Sequence, residues 1–417
     1  MNELIIAAAA PGFVVLILAE LCVGWFRGRN TYRINDAVSS ISLGVMSQVT
    51  GVFTAAVGLG VYALAWEYVA LIRLPADAWW TWALALVGYD LCYYGFHRLS
   101  HEVNVLWAAH VVHHSSEEYN LSTALRQTST GFLLGWVFYW PLAVIGIPPL
   151  VMGIAGMVNL LYQYWIHTRQ IGRLGWFDRW FASPSNHRVH HGQNDYCLDR
   201  NFGGMFMVWD RLFGTFVDER PDEEILYGIR TPLRSWNPLW ANLHFYADLW
   251  RDFRLADTWG DRLKVWFATP AWRPEAAARK APKPPFDPSR FQKFEPRVPR
   301  GLLLYALLQF ALSFPLAVHF LVVQANAPLT VSASYAAVLM GTLFCVAGLL
   351  EGRVGFIWLE YTRLALLSMG VVVTGGWFGG LSLEGTELAW IVVPTATSAL
   401  WLARVTPRTN APPTAVA

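Results

Sequence analysis

Apolar and polar residues alternate along the chain in long blocks, and several apolar blocks reach the ~20 residues that a helix needs to cross a bilayer. The predicted spans are residues 4–26, 39–68, 79–94, 302–323, 331–350, 354–378 and 388–402. Prolines at 141, 148 and 149 interrupt a further apolar block, residues 131–165. That block predicts two short helices in a hairpin that enters and leaves the membrane on one side. The pattern as a whole predicts an all-α, multi-pass integral membrane protein.

The segment between the two sets of spans, residues 167–300, is polar and rich in aromatic residues. Seven prolines lie within its last part, residues 273–300, and this composition is typical of a linker. We therefore predict N-terminal transmembrane helices in residues 1–78 and a histidine-rich domain in residues 79–272. The linker then leads to a C-terminal transmembrane helix bundle in residues 301–417.

The charges around the first apolar block indicate its orientation. Arg27, Arg29 and Arg33 follow this block, and no Lys or Arg precedes it. A cleavable signal peptide carries positive charge before its apolar core, so the block is predicted to be an uncleaved first span. Short loops rich in Lys and Arg face the cytoplasm. Two crossings later, His97 and the residues after it are predicted to lie on the cytoplasmic side.

The composition agrees with a membrane location and argues against other classes of protein. Apolar residues make up 55% of the chain, charged residues make up 14%, and there are 22 tryptophans. The net charge is only +2 and Lys and Arg form no block, so no nucleic-acid partner is expected. The four cysteines form no CxxC pair, so neither a disulfide framework nor a thiolate zinc site is indicated.

Histidine is concentrated in two short segments. Eight of the eleven histidines lie in residues 97–114 and 187–191. The first segment opens with an HxxxH box, and each segment contains an HxxHH box. On a helix, residues four apart share a face, whereas adjacent residues diverge by about 100°. One histidine of each adjacent pair is therefore predicted to face one metal ion, and its neighbour a second.

Eight imidazoles exceed what a single ion uses, so two metal ions are predicted. Imidazole is a good ligand for iron, zinc and copper. The predicted ligands from the three boxes are His97, His101, His110, His113, His114, His187, His190 and His191.

Other polar residues are weaker candidates. His167 ends the apolar hairpin and is either a ninth ligand or a hydrogen-bonding residue at the membrane interface. Glu102 is the catalytic candidate: it follows His101 and either orients an imidazole by accepting its second N–H or is a solvated charge. His244 is a weaker candidate for supporting the ligands, and His319 is expected to be structural. The remaining acidic candidates are Glu117, Glu118, Asp195 and Asp199.

The boxes and their surroundings resemble the fatty acid hydroxylase / sterol desaturase superfamily of membrane di-iron enzymes, most closely its alkylglycerol (glyceryl-ether) monooxygenase branch. The resemblance is strong over residues 79–216. It is carried by HRLSHE from His97, HHSSEEYNLSTALRQ from His113, QYWIHT from Gln163, PSNHRVHHGQNDYCLDRNFGG from Pro184 and WDRLFGTF from Trp209. Asn186 departs from the pattern, because animal members of the branch often carry a further histidine there.

The resemblance implies that the eight box histidines hold two iron ions, and His167 also matches a histidine of the branch. It further implies O2-dependent hydroxylation of a membrane lipid at the carbon next to an ether oxygen. The product would separate into a fatty aldehyde and glycerol. Animal members take electrons from tetrahydrobiopterin, but no pterin pocket can be located in this sequence, so the electron donor stays open.

Two alternatives remain at the level of the sequence. A sister hydroxylase or desaturase acting on a sterol, a carotenoid or a fatty acyl chain would use the same metal site. A non-catalytic membrane protein, such as a transporter or scaffold, would retain the metal site without turnover; the inverted repeats that favour transport are not evident.

Overall fold

The computed structural model describes residues 2–378, 381–383 and 385–406, and helices dominate it. The chain divides into two compact units. Met1–Arg234 and Leu239–Lys293 form the first unit, and Ser235–Pro238 and Phe294–Ala417 form the second. Among the described residues the only sheet is one pair of two-residue strands, so the all-α prediction is confirmed.

The first unit contains the histidine boxes. Its α-helices are α1 (Asn2–Phe26), α2 (Ile34–Val69), α3 (Trp79–Glu102), α4 (Asn104–His114), α5 (Leu121–Ala124), α6 (Trp140–Val144), α7 (Pro149–Trp165), α8 (Phe177–Trp180), α9 (Pro184–His190), α10 (Val208–Leu212), α11 (Pro238–Leu255), α12 (Trp259–Phe267) and α13 (Glu275–Lys280). Short 3₁₀ helices are present at Gly131–Leu133, Gly135–Tyr139, Asp195–Cys197 and Pro288–Arg290.

Helices α3 and α7 run side by side in the same direction. Asn159 Nδ2 donates to Asp90 Oδ1 at 2.6 Å, and further along Tyr93 OH donates to Gln163 Oε1 at 2.8 Å. The C-terminal ends of the two helices therefore lie together. This alignment brings the end of α3, with the HxxxH box, next to the end of α7.

Residues 131–165 form a hairpin, as their prolines predict, but its first arm consists of 3₁₀ turns and the five-residue α6 rather than one helix. At its tip, Leu71 N donates to Val144 O at 2.8 Å and Leu74 N donates to Gly146 O at 3.0 Å, so the tip packs against the loop between α2 and α3. Gly146 has φ +90°, and a Cβ there would lie 2.0 Å from Ile72 O, so a side chain is excluded. Both arms of the hairpin approach the part of α3 beside His97, since the Phe138 ring lies 5.1 Å from the Phe96 ring and Gln163 accepts from Tyr93.

Six segments of the described chain are long and apolar enough to cross a membrane. They are Ala8–Phe26, Ile34–Thr54, Arg300–Asn326, Leu329–Leu350, Val354–Thr374 and Gly385–Val405. The predicted span at residues 79–94 lies in α3, which is not one of the six, because Asp90 and several aromatic residues lower its mean hydropathy. The prediction of a multi-pass membrane protein is confirmed.

The described part of the second unit contains four long helices. They are α14 (Arg300–Val323), α15 (Leu329–Leu350), α16 (Val354–Thr374) and α17 (Ala389–Val405), with 3₁₀ helices at Gln324–Asn326 and Gly385–Leu388. Helix α16 ends at Thr374 rather than at residue 378, because Gly375 adopts φ +61° and its N–H donates to Val371 O at 3.0 Å. Beyond it, β1 (Gly376–Trp377) pairs antiparallel with β2 (Leu381–Ser382).

Candidate metal centre

The HxxxH box occupies the last turns of α3. His97 and His101 lie four residues apart on one face of the helix, and their side chains are buried. Helix α3 ends where the Val103 N–H donates to Leu99 O at 2.9 Å, and α4 begins at Asn104. This bend brings the second box, at the C-terminal end of α4, back toward the first.

The third box forms α9, a short helix with a well-defined start. The Ser183 side chain accepts the N–H of Asn186, and Pro184 occupies the first turn, where its missing N–H costs nothing. His187 and His190 lie within the helix and His191 is its C-cap. The fixed N-terminal end of the helix therefore sets the directions in which its three imidazoles point.

The structure brings all nine predicted ligands together in two groups. In each group the candidate ligand atoms lie within 4.8 Å of one another. The first group contains His97, His101, His110, His114 and His190, and the second contains His113, His167, His187 and His191.

Each HxxHH box serves both groups. In the second box, His110 and His114 belong to the first group, and His113 belongs to the second group. In the third box, His187 and His191 belong to the second group and His190 to the first. Adjacent histidines thus face different groups, as the 100° separation on a helix predicts. His167, from the end of α7, supplies the fourth imidazole of the second group.

Backbone carbonyls set the tautomers of several rings. Nδ1 of His97 lies 2.8 Å from Phe202 O, Nδ1 of His113 lies 3.0 Å from Arg126 O, and Nδ1 of His167 lies 2.7 Å from Gln163 O. Nδ1 of His190 lies 2.9 Å from Arg200 O. Because a carbonyl can only accept, each Nδ1 carries the proton, and the Nε2 of each neutral ring carries a lone pair.

The donor atoms fit a bound cation. Nε2 of His113 lies 3.2 Å from Nε2 of His167, and both atoms carry lone pairs. Two lone pairs at this distance repel each other, and a cation that both nitrogens bind removes the repulsion. In the first group, the Nε2 atoms of His101 and His190 are buried and have no hydrogen-bond partner among the described residues. The arrangement therefore suits metal binding rather than a hydrogen-bonded core.

Burial keeps these rings neutral. Burial lowers the pKa of His113 to about 4, and burial together with the neighbouring imidazoles holds the pKa values of His187 and His191 well below their ordinary value. Metal ions bind the neutral ring, so protons compete weakly for these ligands at neutral pH.

We expect the metal-depleted protein to melt at progressively lower temperature as the pH falls from 7 toward 4. An unfolded histidine has a pKa of about 6.5, whereas folded His113 has a pKa of about 4. Between these values the unfolded chain binds more protons, so its free energy falls relative to the folded state. Melting in detergent across this pH range is the measurement. The variant His113→Gln lacks one such group and should show a shallower dependence, and identical pH profiles would contradict the assignment.

The carboxylate that faces an imidazole is Asp199, one of the weaker sequence candidates, rather than Glu102. Glu102 accepts a hydrogen bond from Arg98 Nε at 2.9 Å, because residues four apart lie on the same helix face. Asp199 instead approaches the ring of His101, with Oδ1 3.6 Å from Nδ1. Asp199 adopts φ 54°, so the turn after α9 directs its side chain back to the first group. The geometry thus favours Asp199 over Glu102 as the carboxylate that orients an imidazole.

The other weak candidates lie outside the two groups. Glu117 and Glu118 are buried and form ion pairs with Arg33, at 3.0 and 2.7 Å. Asp195 pairs with Arg230 near the surface. Nδ1 of His244 lies 2.9 Å from Ala241 O within its own helix. In the second unit, Nδ1 of His319 lies 3.1 Å from the Tyr335 hydroxyl oxygen.

Two buried carboxylates that were not among the sequence candidates shape the turn beside the histidines. Asp210 accepts the N–H groups of Phe202 and Gly203, at 2.8 and 2.7 Å, and the Phe202 carbonyl in turn accepts from His97. Asp90 accepts the N–H groups of Met205 and Phe206, at 2.7 and 3.1 Å. The sequence does contain a signal for Asp90, because an acidic residue inside the apolar stretch of α3 is costly unless it has a function.

Gly203 and Gly204 permit this close packing. A Cβ on Gly203 would lie 2.5 Å from Phe206 O, and a Cβ on Gly204 would lie 2.8 Å from Asp90 Oδ1. The Gly-Gly pair is therefore required by the approach of backbone and carboxylate. This turn is part of the support for His97, because it carries the Phe202 carbonyl.

Two further buried charged residues hold the ligand segments in place. Arg126, 1% exposed, donates from Nε to Val112 O at 2.9 Å, the C-terminal end of α4, where a cation is favoured. Glu20 of α1 accepts the Leu121 N–H at 2.8 Å and the hydroxyl of Thr168, the residue after His167. These contacts link both ligand segments to the surrounding helices.

Comparison with known proteins agrees with this geometry. The family model described as fatty acid hydroxylase matches residues 82–215, which include all nine predicted histidine ligands. The alkylglycerol monooxygenase of Xenopus tropicalis is 39% identical over 308 residues, which cover 74% of this chain and 68% of the relative. This chain belongs to the alkylglycerol monooxygenase family.

Two other members of that family have a similar sequence identity to this chain. The alkylglycerol monooxygenases of Homo sapiens and Danio rerio are each 43% identical over 267 residues, which cover 64% of this chain. The aligned part spans 59% of the length of each of these two relatives. No solved structure matches the chain.

Proposed function

We propose that this protein is a membrane monooxygenase that uses O2 to cleave the ether bond of alkylglycerols. The observation that supports it most is the pair of converging imidazole groups in a chain 39–43% identical to alkylglycerol monooxygenases. The lipid C–H bond next to the ether oxygen is hydroxylated, and the hemiacetal separates into fatty aldehyde and glycerol. Each turnover consumes one O2, two electrons and two protons and releases one water.

We propose that the two groups hold two iron ions. His97, His101, His110, His114 and His190 would hold one, and His113, His167, His187 and His191 the other. Imidazole also binds zinc, but zinc has no redox chemistry and this reaction requires a redox metal. Iron bound there would supply the activation of O2.

The chain positions the imidazoles and excludes water from them. The Tyr119 ring stacks on His167 with ring centroids 5.6 Å apart. The rings of Trp107 and Phe202 lie 5.0 and 5.2 Å from the ring of His101. These aromatic residues restrict the rotamers of the ligands and shield a reactive centre from solvent.

The electron donor and the side of the membrane are part of the proposal. The arginines of the first loop, Arg27 and Arg29, favour a cytoplasmic location for the centre. A lipid would then approach from the bilayer while electrons arrive from the cytoplasm. Tetrahydrobiopterin is the proposed reductant, because it serves the animal members of the branch that the sequence resembles.

We expect membranes containing the protein to release a long-chain aldehyde from an alkylglycerol in the presence of O2 and a reductant. Aldehyde is measured by trapping and mass spectrometry, with anaerobic samples as the control. Dependence on added tetrahydrobiopterin tests the electron donor separately. Oxidised sterol or fatty acyl products without any aldehyde would contradict the proposed substrate and favour a sister hydroxylase.

Failure of every lipid tested would favour the non-catalytic alternative only if the protein also holds little metal. Metal is therefore measured in the same preparation. A content near two iron ions per chain supports the proposed centre, and less than one transition metal per chain contradicts it.

A further inference from the structure

Helices α11 and α12 carry an unusual outer face. Their inner faces pack together with the helix of the second histidine box: Leu249 and Val265 form a buried cluster with Ala108 of α4. Their outer faces carry six large apolar side chains, here called the apolar stripe, each between 43% and 69% exposed. The stripe consists of Trp240, Leu243, Trp250, Trp259, Leu263 and Phe267.

The spacing of the stripe is helical. Trp240, Leu243 and Trp250 are three and seven residues apart, and the residues of the stripe on α12 are four apart. Each set therefore lies on one side of its helix. A helix that covers a core from the aqueous side shows polar residues on its outer face. Here apolar residues occupy both faces of the pair, and two of the three stripe residues on α11 are tryptophan.

Asn104 fixes the position of the C-terminal end of α12. Its backbone N donates to Ala268 O at 2.9 Å, and its side-chain Nδ2 donates to Val265 O at 2.9 Å. Asn104 is the first residue of α4, and only Val103 separates it from the end of α3. The end of α12 is thus held at the level where α3 ends.

Cationic side chains border the stripe. Arg262 lies over the Trp259 ring at 4.8 Å, and Lys264 lies over the Trp272 ring at 4.4 Å. Asp261 and Asp248 lie on the same two helices, so the pair has mixed charge. Tryptophan beside long cationic side chains is typical of the zone between lipid acyl chains and head groups.

We propose that α11 and α12 lie in the membrane interface, with the apolar stripe in contact with the lipid bilayer. The occupant of the stripe is lipid, because the same unit carries segments able to cross a membrane and α12 is anchored where α3 ends. The bilayer surface would then extend along the outer side of the helix pair that covers α4. The inference is independent of the reaction that the metal centre performs.

Spin labels test this placement in the full-length protein. Trp250→Cys and Leu263→Cys place one label on each helix, and Arg279→Cys on α13, with a side chain 66% exposed, is the matched control. Cys22 and Cys92 are first replaced by alanine, since neither is buried. The protein is reconstituted in vesicles of phosphatidylcholine and phosphatidylglycerol. Collision rates are then measured with O2, which concentrates in lipid, and with a water-soluble nickel chelate.

The ratio of O2 to nickel collisions at positions 250 and 263 is expected to exceed that at position 279 by roughly fivefold or more, because a polar chelate is excluded from apolar surroundings. Ratios equal to that of the control would show that the stripe faces water and would overturn the proposal. Low collision rates with both reagents would show that a second copy or another protein covers the stripe, and would overturn it equally. Agreement of two labels on separate helices guards against local misfolding of either variant.

Discussion

Replacing His190 with alanine is expected to reduce aldehyde release by more than about 100-fold, since residues that merely support metal ligands already contribute 10–100-fold. His190 belongs to the group of five, and its Nε2 is buried without a hydrogen-bond partner among the described residues. The substitution removes one donor and leaves a cavity in the group. The protein should still insert in membranes, because the candidate spans lie elsewhere in the chain.

The neighbouring variant His191→Ala makes this test sharper. His191 is adjacent in sequence but belongs to the group of four. If each group holds one ion, each variant should lower the iron content from about two per chain toward one and should abolish turnover. His319→Ala is the control, since His319 lies in the second unit beside Tyr335. Unchanged activity in His190→Ala would contradict the ligand assignment, and loss of metal from only one of the two variants would indicate a single-ion site.

The division of adjacent histidines between two groups could be predicted because it depends on local geometry alone. The angle between neighbouring residues of a helix is fixed by its period, so one HxxHH box must point in two directions. The helical fold could be predicted for a similar reason, since long apolar blocks have few other stable forms in a membrane. Both predictions needed only residues close together in the chain.

The contacts that the carboxylates around the site make could not be predicted in the same way. Glu102 is next to His101 in sequence, but helix geometry turns it toward Arg98. Asp199 reaches the same histidine from a turn almost a hundred residues later. The contacts of Asp90 with the turn at residues 205–206 also join distant parts of the chain. Such pairings depend on the tertiary fold, which short-range patterns do not determine.

The ends of the helices also differ in how well the sequence predicts them. The end of α16 at Thr374 follows from one glycine with a positive φ, whereas apolar composition continues to residue 378. Hydropathy therefore overestimated the span, although the glycine that ends it was visible in the sequence. The hairpin was better specified, because prolines mark its turn directly.

Replacing Asp210 with alanine is expected to cause the second large effect, by disturbing His97 from a distance. Asp210 is fully buried and accepts the N–H groups of Phe202 and Gly203 as well as the hydroxyl of Thr215. Alanine would leave these buried donors without their acceptor, at a cost of about 3–5 kcal/mol in total. The Phe202 carbonyl, which fixes the tautomer of His97, would no longer be held in place.

The expected result for Asp210→Ala is a melting temperature lower by several degrees and a loss of activity of roughly 10-fold or more through weaker metal binding. Asp210→Asn retains one acceptor oxygen, so its melting temperature and activity should lie between those of Asp210→Ala and those of the original protein. Asp218→Ala is the matched control, because Asp218 is 59% exposed and pairs only with Arg173 among the contacts described. Thermal melting and iron content are measured in the same detergent preparations. If Asp210→Ala behaves like Asp218→Ala in both, the carboxylate does not support His97; if it loses stability but keeps its iron, its role is confined to the turn.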